Sequence, residues 1–325
     1  MLDCKDKTIV VVGDVMVDTY MWGSVSRISP EAPVPIVAVN RRERRLGGAA
    51  NVALNISALG ARPLICSILG NDDNARAFMQ LMYDHDLDRR GVLTSDARRT
   101  TVKSRVIGNN NHIVRVDEED TTPLSNNDEQ LLINRITSVL KHTDVDAIIF
   151  QDYDKGNITH AIIDEVTALA NRRGIITAVD PKHRQFKYFH DVTLFKPNLK
   201  ELREGLGMDI DDSGDDQQLR AELDKAAAML HSQQNIQVVL VTLSSRGIYA
   251  CDFRGGTPQS LILPAERRSV ADVSGAGDTV ISVATLCMAQ QMPIADIVAY
   301  ANKAGGLVCE EVGVVPVDKE KLEAQ

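Results

Sequence analysis

DVSGAGDTVISVATLCM, residues 272–288, holds a run of small residues directly ahead of an apolar stretch, Val280–Met288, long enough for a buried helix. Small residues at that point let several backbone N–H groups turn toward one anion, and the helix dipole adds to the attraction. Asp278 then sits at the mouth of an anion site, where a carboxylate repels phosphate unless it does chemistry. Two readings follow. Asp278 is either a general base that takes a hydroxyl proton while the amides hold a transferring group, or an ordinary helix N-cap.

A helix buried on all sides needs a sheet beneath it, and the rest of the chain supplies one. Short β-branched runs at Thr8–Val12, Pro63–Leu69, Val145–Phe150, Ile175–Val179, Val192–Phe195 and Val238–Leu243 read as buried parallel strands. Amphipathic stretches such as Asn51–Leu59, Asn126–Lys141, Ile158–Arg172 and Leu219–Leu230 read as helices between them. Alternation of this kind predicts an α/β fold, a parallel sheet with helices on both faces. Two segments break the rhythm. Residues 15–45 hold no good helix and carry Pro30, Pro33 and Pro35, while residues 99–117 alternate around a Gly-Asn-Asn-Asn turn. Both are placed in a small β-sheet lid beside the main sheet. Asp209–Gln218, acidic and turn-rich, reads as a solvated loop. With no internal repeat and no long linker, residues 1–325 are expected to form one domain with its lid.

Composition excludes several classes. The net charge of -9 argues against a broad nucleic-acid surface. Cys4, Cys66, Cys251, Cys287 and Cys309 are scattered without CxxC or Cys/His spacing, which points to reduced thiols in a cytoplasmic protein and away from structural zinc. The first apolar run is too short for a signal peptide or membrane span and reads as the first strand. No GxxxxGK[ST] phosphate loop occurs.

DVSGAGDT (272–279) resembles the C-terminal signature of the ribokinase-like (PfkB-type) carbohydrate kinases, and LGGAANVALNISALGARPLICSILGND (46–72) resembles their N-terminal signature. The resemblance covers residues 8–317; Val283, where the pattern prefers Ala or Gly, reads as a packing variation. It implies that Asp278 is the catalytic base and that Gly275, Ala276 and Gly277 form the anion hole. Asn198-Leu199-Lys200-Glu201 matches the family's NxxE motif. Taken alone, Asn198 and Glu201 suit a helix cap and first-turn carboxylate; the resemblance implies that they organise Mg²⁺ through water near the phosphates of ATP. It also implies a nucleotide site built from Lys200, Thr242, Ser244, Gly247 and Asn302. Asp14 and Asp18, at the C-terminal edge of the first strand, can accept two hydroxyls each. With Gly47, Gly48 and Asn51 they form the implied sugar cradle. Gly313-Val314-Val315-Pro316 lacks the hydroxyls that relatives often carry near a monovalent-cation site, which leaves such an ion to backbone carbonyls.

Gly13–Asn40, and SRISPEAPVP (26–35) within it, closely resembles the heptose 7-phosphate kinases of that family, as do DYDKG (152–156) and DPK (180–182). This implies phosphoryl transfer from ATP to the anomeric hydroxyl of D-glycero-D-manno-heptose 7-phosphate, on the route to lipopolysaccharide cores. A different sugar or sugar phosphate is the alternative acceptor. A substrate that already carries a phosphate needs local cations, and Arg27, Lys103, Arg105, Arg115, Lys155 and Lys182 lie on lid or sheet-edge segments. The resemblance favours Arg27 and Lys182. Relatives are often fused to a nucleotidyltransferase, whose HxGH-type motif none of the seven histidines shows, so that step is expected on a separate polypeptide. The lid's apolar residues, including Met21, Trp22, Val34, Ile36 and Val37, need a cover, and a homodimer through the lids is expected to supply it.

Overall fold

The computed structural model describes residues 3–266 and 268–324. Its strands are β1 (Thr8–Gly13), β2 (Val15–Ile28), β3 (Pro35–Gly48), β4 (Arg62–Gly70), β5 (Val92–Ser95), β6 (Val102–Gly108), β7 (Asn111–Glu118), β8 (Ala147–Gln151), β9 (Ile176–Asp180), β10 (Leu194–Phe195), β11 (Val238–Thr242), β12 (Ile248–Asp252) and β13 (Gln259–Leu263). The helices are α1 (Ala49–Ala58), α2 (Asp73–Asp84), α3 (Asn126–His142), α4 (His160–Arg173), α5 (Leu199–Leu206), α6 (Asp216–Gln234), α7 (Ala276–Ala289), α8 (Ile294–Val308) and α9 (Lys319–Glu323).

Nine strands form the main sheet in the order β13-β12-β11-β10-β9-β8-β1-β4-β5. Pairing is parallel from β5 through to β11 and antiparallel at the β11–β12 and β12–β13 ladders. Strand residues alternate between two cores, as a pleated sheet buried on both faces requires. Val11 and Ile149 face one core with α1, α7 and α8; Val10, Val12 and Phe150 face the other with α3, α4 and α6. Among the described residues no helix is long and apolar enough to cross a membrane.

The six strands read from the sequence are all present. The antiparallel edge, β12 and β13, was not expected, because its runs are short and follow a tight turn at Gly247. The loop expected over 209–218 ends early: α6 starts at Asp216 because Asp215 caps it, accepting a hydrogen bond from Gln218 N at 2.9 Å.

The lid is a separate four-stranded sheet, β3-β2-β6-β7. Asn109 and Asn110, both with positive φ (51° and 62°), make the two-residue turn that joins β6 to β7. Only Asp14 separates β1 from β2, and β3 runs directly into α1. The lid therefore grows straight out of the C-terminal edge of the main sheet, where the site lies.

Candidate active site

The ends of β8, β9, β10 and β11 and the start of α7 surround two adjoining cavities. The smaller, about 200 Å³, is lined by Tyr153, Asp180, Lys182, Lys196, Glu201 and Asp278 among others. The larger, about 930 Å³, runs past Asn198, Thr242, Ser244, Gly247 and Asn302. Asn198, Thr242 and Gly277 border both.

Asp278 lines the smaller cavity, next to Gly277, which borders both. The cap of α7 is Gly275, in the left-handed region at φ 83°, with no side-chain capping bond; Asp278 is the third helical residue and is not the cap. A side chain at Gly275 would carry strain and bring its Cβ to 2.9 Å from Asn51 Nδ2. The Asp278 carboxylate faces inward instead. Its Oδ2 accepts from Asn51 Nδ2 at 2.8 Å, and its Oδ1 from Tyr153 OH at 2.6 Å and Gln151 Nε2 at 3.1 Å. Burial pushes its pKa up to about 6, with Asp180 adding to the push, while the bonds from Asn51 and Tyr153 and the charge of Lys196 hold it back. A carboxylate tuned that close to neutrality can both take and release a proton. In the first turn of α7 the amides of Ala276 and Thr279 bond Val273 O and Gly275 O. Among the described residues none accepts from those of Gly277 or Asp278, which leaves two donors for an anion.

Two lysines flank this point. Lys196 Nζ lies 3.1 Å from Asp180 Oδ1, both side chains nearly inaccessible. Lys182 pairs with Glu201. Burial alone would lower the pKa of Lys182, but Asp180, Glu201 and Asp152 outweigh it and hold the ammonium above its ordinary range. Asn198 and Glu201 do form the capping box of α5, with bonds of 2.8 Å in each direction, and the same side chains line the small cavity.

A model of the PfkB carbohydrate kinases matches residues 6–321. The chain belongs to that family. This PfkB kinase is 38% identical, over 98% of its own length, to the bifunctional protein HldE of Methylobacillus flagellatus, of which it spans 62%. Its fold is shared with phosphofructokinase-2 of Escherichia coli, solved with substrates and products, at a TM-score of 0.77, 17% identity and coverage of 98% and 97% of the two chains. Arabidopsis thaliana ribokinase, solved with ribose and ATP, gives a TM-score of 0.69 at 18% identity, with 98% and 99% covered. The chain is therefore an ATP-dependent carbohydrate kinase with the ribokinase-type sheet and helices.

Against this frame the expected site residues divide. Thr242, Ser244, Gly247 and Asn302 all line the large cavity of the kinase, as does Lys200, although its ammonium is largely exposed beside Glu204. Asn302 Nδ2 donates to Pro264 O at 2.8 Å, which fixes the cavity wall. Asn51 reaches Asp278, and Gly48, at φ 60°, admits the backbone of Asp14 where a Cβ would meet Asp14 O at 2.3 Å. Gly47 packs against Asp18.

Four expectations need correction. Asp14 is wholly buried and its carboxylate accepts the amides of Tyr153, Lys155 and Asn157 at 2.8–3.0 Å, so it holds the 153–157 turn and has little left for sugar hydroxyls. Asp18 is bound by Arg105. Lys155 is taken up by Glu119 at 2.9 Å. Arg27 is exposed at the outer end of β2, paired with Ile36 and nine residues past Asp18, outside either cavity. Arg45 Nη1 also donates to two carbonyls of the 312–314 loop, Val312 O at 3.4 Å and Val314 O at 3.1 Å.

Sequence reasoning passed over Gln151, Tyr153, Asp180 and Lys196 as site residues. A signal existed: each stands at or just after the C-terminal end of a parallel strand, where ligands bind in open α/β sheets.

Proposed function

We propose that this kinase transfers the terminal phosphoryl group of ATP to the anomeric hydroxyl of D-glycero-D-manno-heptose 7-phosphate, giving the 1,7-bisphosphate, a precursor of activated heptose for lipopolysaccharide cores. One observation carries the choice of a phosphorylated acceptor. Lys103, Arg105 and Arg115 share one face of the lid, through the register Lys103↔Asp117 and Arg105↔Arg115, and Lys103 looks onto Tyr153 beside Asp278. An acidic chain that gathers cations opposite its base is suited to an anionic acceptor. The resemblance of residues 13–40 to heptose 7-phosphate kinases supplies the identity of the sugar.

In this reading ATP fills the large cavity with its phosphates toward Gly277, Lys182 and Lys196. The acceptor hydroxyl gives its proton to Asp278 as it attacks, and the free amides of α7 hold the transferring group. Mg²⁺ accompanying ATP would offset phosphate charge. Among the described residues no three His, Cys, Asp or Glu side chains converge as a metal cage, and Glu201 and Asp180 each face a lysine. The donors Asn198 and Glu201 thus fit a hydrated ion held through water. Residues 1–325 act as one catalytic unit with the lid as its cover. The test is a panel of acceptors with ADP release as the readout: heptose 7-phosphate, heptose and fructose 6-phosphate. Heptose 7-phosphate should give the highest kcat/KM, with a new phosphorus resonance at the anomeric carbon. A preference for either of the others by tenfold or more rejects the heptose reading.

The lids are proposed to pair two chains. Ile28, Val34 and Val39 on the β2–β3 arm are 61%, 52% and 46% exposed, and Val114 and Val116 on β7 are 49% and 48% exposed. Of the residues named from the sequence only Val34 is so open. Met21, Trp22, Ile36 and Val37 are half-buried, Trp22 between Tyr20 and the Arg41 guanidinium. An open four-stranded sheet with apolar residues outside and two free edges is completed by a symmetric copy. Light scattering should give twice the 35.6 kDa chain mass, and Val34→Asp with Val114→Asp should give the single mass. A monomeric wild-type chain at full activity rejects the pairing.

A further inference from the structure

We propose that Lys103, on β6, receives the phosphate that the acceptor sugar already carries; this rests on the reading above that the acceptor is a sugar phosphate. Four cations of the lid and its border are already matched. Arg105 is bound to Asp18 and Arg45 to Glu43, Arg115 Nε lies 2.9 Å from Asp117 Oδ1, and Lys155 Nζ lies 2.9 Å from Glu119 Oε2. Lys103 differs. It is half-buried, and among the described residues no carboxylate or other hydrogen-bond acceptor lies within reach of its ammonium. Its contact is the face of Tyr153, with Nζ 5.3 Å from the ring centroid.

A partly buried ammonium without a hydrogen-bonded acid is costly, even with Asp18 and Asp117 opposite it on the neighbouring strands, and more telling in a chain where 45 acidic residues outnumber 36 basic ones. Burial and the nearby charges of Lys155 and Arg115 pull the Lys103 pKa down, against a smaller pull upward from Asp18 and Asp117. An arriving dianion removes that penalty. The position suits the reaction. Tyr153 presents its hydroxyl to Asp278 at 2.6 Å and its ring to Lys103, so that one side chain joins the base to the ammonium. Lys182 approaches the same ring at 5.7 Å but is held by Glu201 in the small cavity, on the nucleotide side. The two lysines thus divide the work, one toward ATP and one toward the acceptor. A lysine suits this place because a compact ammonium with three donors meets a phosphate from several angles.

The experiment compares wild type with Lys103→Gln and Lys103→Arg on a phosphorylated acceptor and on the same sugar without its phosphate, with ATP as donor. Melting temperatures verify folding; removing an unmatched charge should leave them unchanged or higher. In Lys103→Gln, KM for heptose 7-phosphate should rise about 10- to 100-fold, the scale of one charge-assisted hydrogen bond. KM for ATP, and the weak turnover of heptose itself, should hardly move, and Lys103→Arg should recover most of the loss. Equal weakening toward both acceptors, or a raised KM for ATP, overturns the proposal and leaves Lys103 a packing residue. Should wild type prefer another sugar phosphate, the same comparison on that sugar and its dephosphorylated form still decides the role of Lys103, while the heptose reading falls. If wild type accepts only unphosphorylated sugars, both fall.

Discussion

Asp278→Asn should fold, bind ATP and lose turnover by a factor of about 100 to 10,000, the range that general-base assistance spans. The upper end is expected, because Asn51, Gln151 and Tyr153 all donate to this carboxylate, and an amide can accept at only one of its two termini. The substrate hydroxyl would lose its proton acceptor and its alignment together. The wild-type pH profile provides a control. With the Asp278 pKa raised to about 6, kcat/KM should fall tenfold per pH unit below that value, and this acidic limb should vanish in the variant. Stability should move the other way. A carboxylate whose folded pKa lies above its unfolded value binds its proton more readily in the folded state. Its charge therefore lowers stability as pH rises through the window from about 3.8 to about 6. At pH 7 Asp278→Asn should melt no lower than wild type. Turnover within tenfold of wild type at saturating acceptor would remove Asp278 from the base role.

Lys196→Met should cost about 3–5 kcal/mol of folding stability, the penalty for removing one partner of a buried ion pair. Lys196 is 2% exposed at the end of β10, its backbone amide pinned to Val179 O at 2.8 Å. Asp180, 4% exposed, would keep only the 3.1 Å bond from Gln151 Nε2 and the more distant charge of Lys182, beside Asp278. Since Lys196 also holds the Asp278 pKa down, the acidic limb of the rate profile should shift upward in the same variant. Adding Asp180→Asn should restore much of the stability and none of the activity, as a double-mutant cycle in urea can measure. A loss below about 1 kcal/mol for Lys196→Met would mean that water reaches the pair and screens it.

Much of this was legible in the chain because it is encoded locally. The strand Thr8–Gly13 announces itself by five consecutive buried residues, and α7 by an apolar run that follows Gly and Ala. Asp278 could be picked out because it stands at an anion-binding turn, and the resemblance of 272–279 to the family signature favoured a base over a helix cap there. The misplaced residues fail for the opposite reason. Whether Asp14 offers its oxygens to a ligand depends on amides 139 to 143 residues away in sequence, and no pattern near Asp14 reveals that they use it up. Arg27 lies in the most distinctive motif of the lid, but distinctiveness says nothing of direction, and a 14-residue strand carries it away from the site. The role argued for Lys103 rests on what is missing around it, which a sequence cannot display.

The joint between the two sheets has a mechanical consequence. With Asp14 alone between β1 and β2, and Gly48 passing straight into α1, the lid has no slack in which to slide. It can only swing. From Val15 to Ile28 the arm measures roughly 40 Å at the usual rise of an extended strand, so a rotation of 10° at its root sweeps the tip through roughly 7 Å. The root itself barely shifts, and Asp14, which sits there, grips the turn that carries Tyr153. Geometry of that kind behaves as a lever with its fulcrum at the catalytic end: wide travel outside for admitting a sugar, and almost none where a proton must pass over a fraction of an ångström.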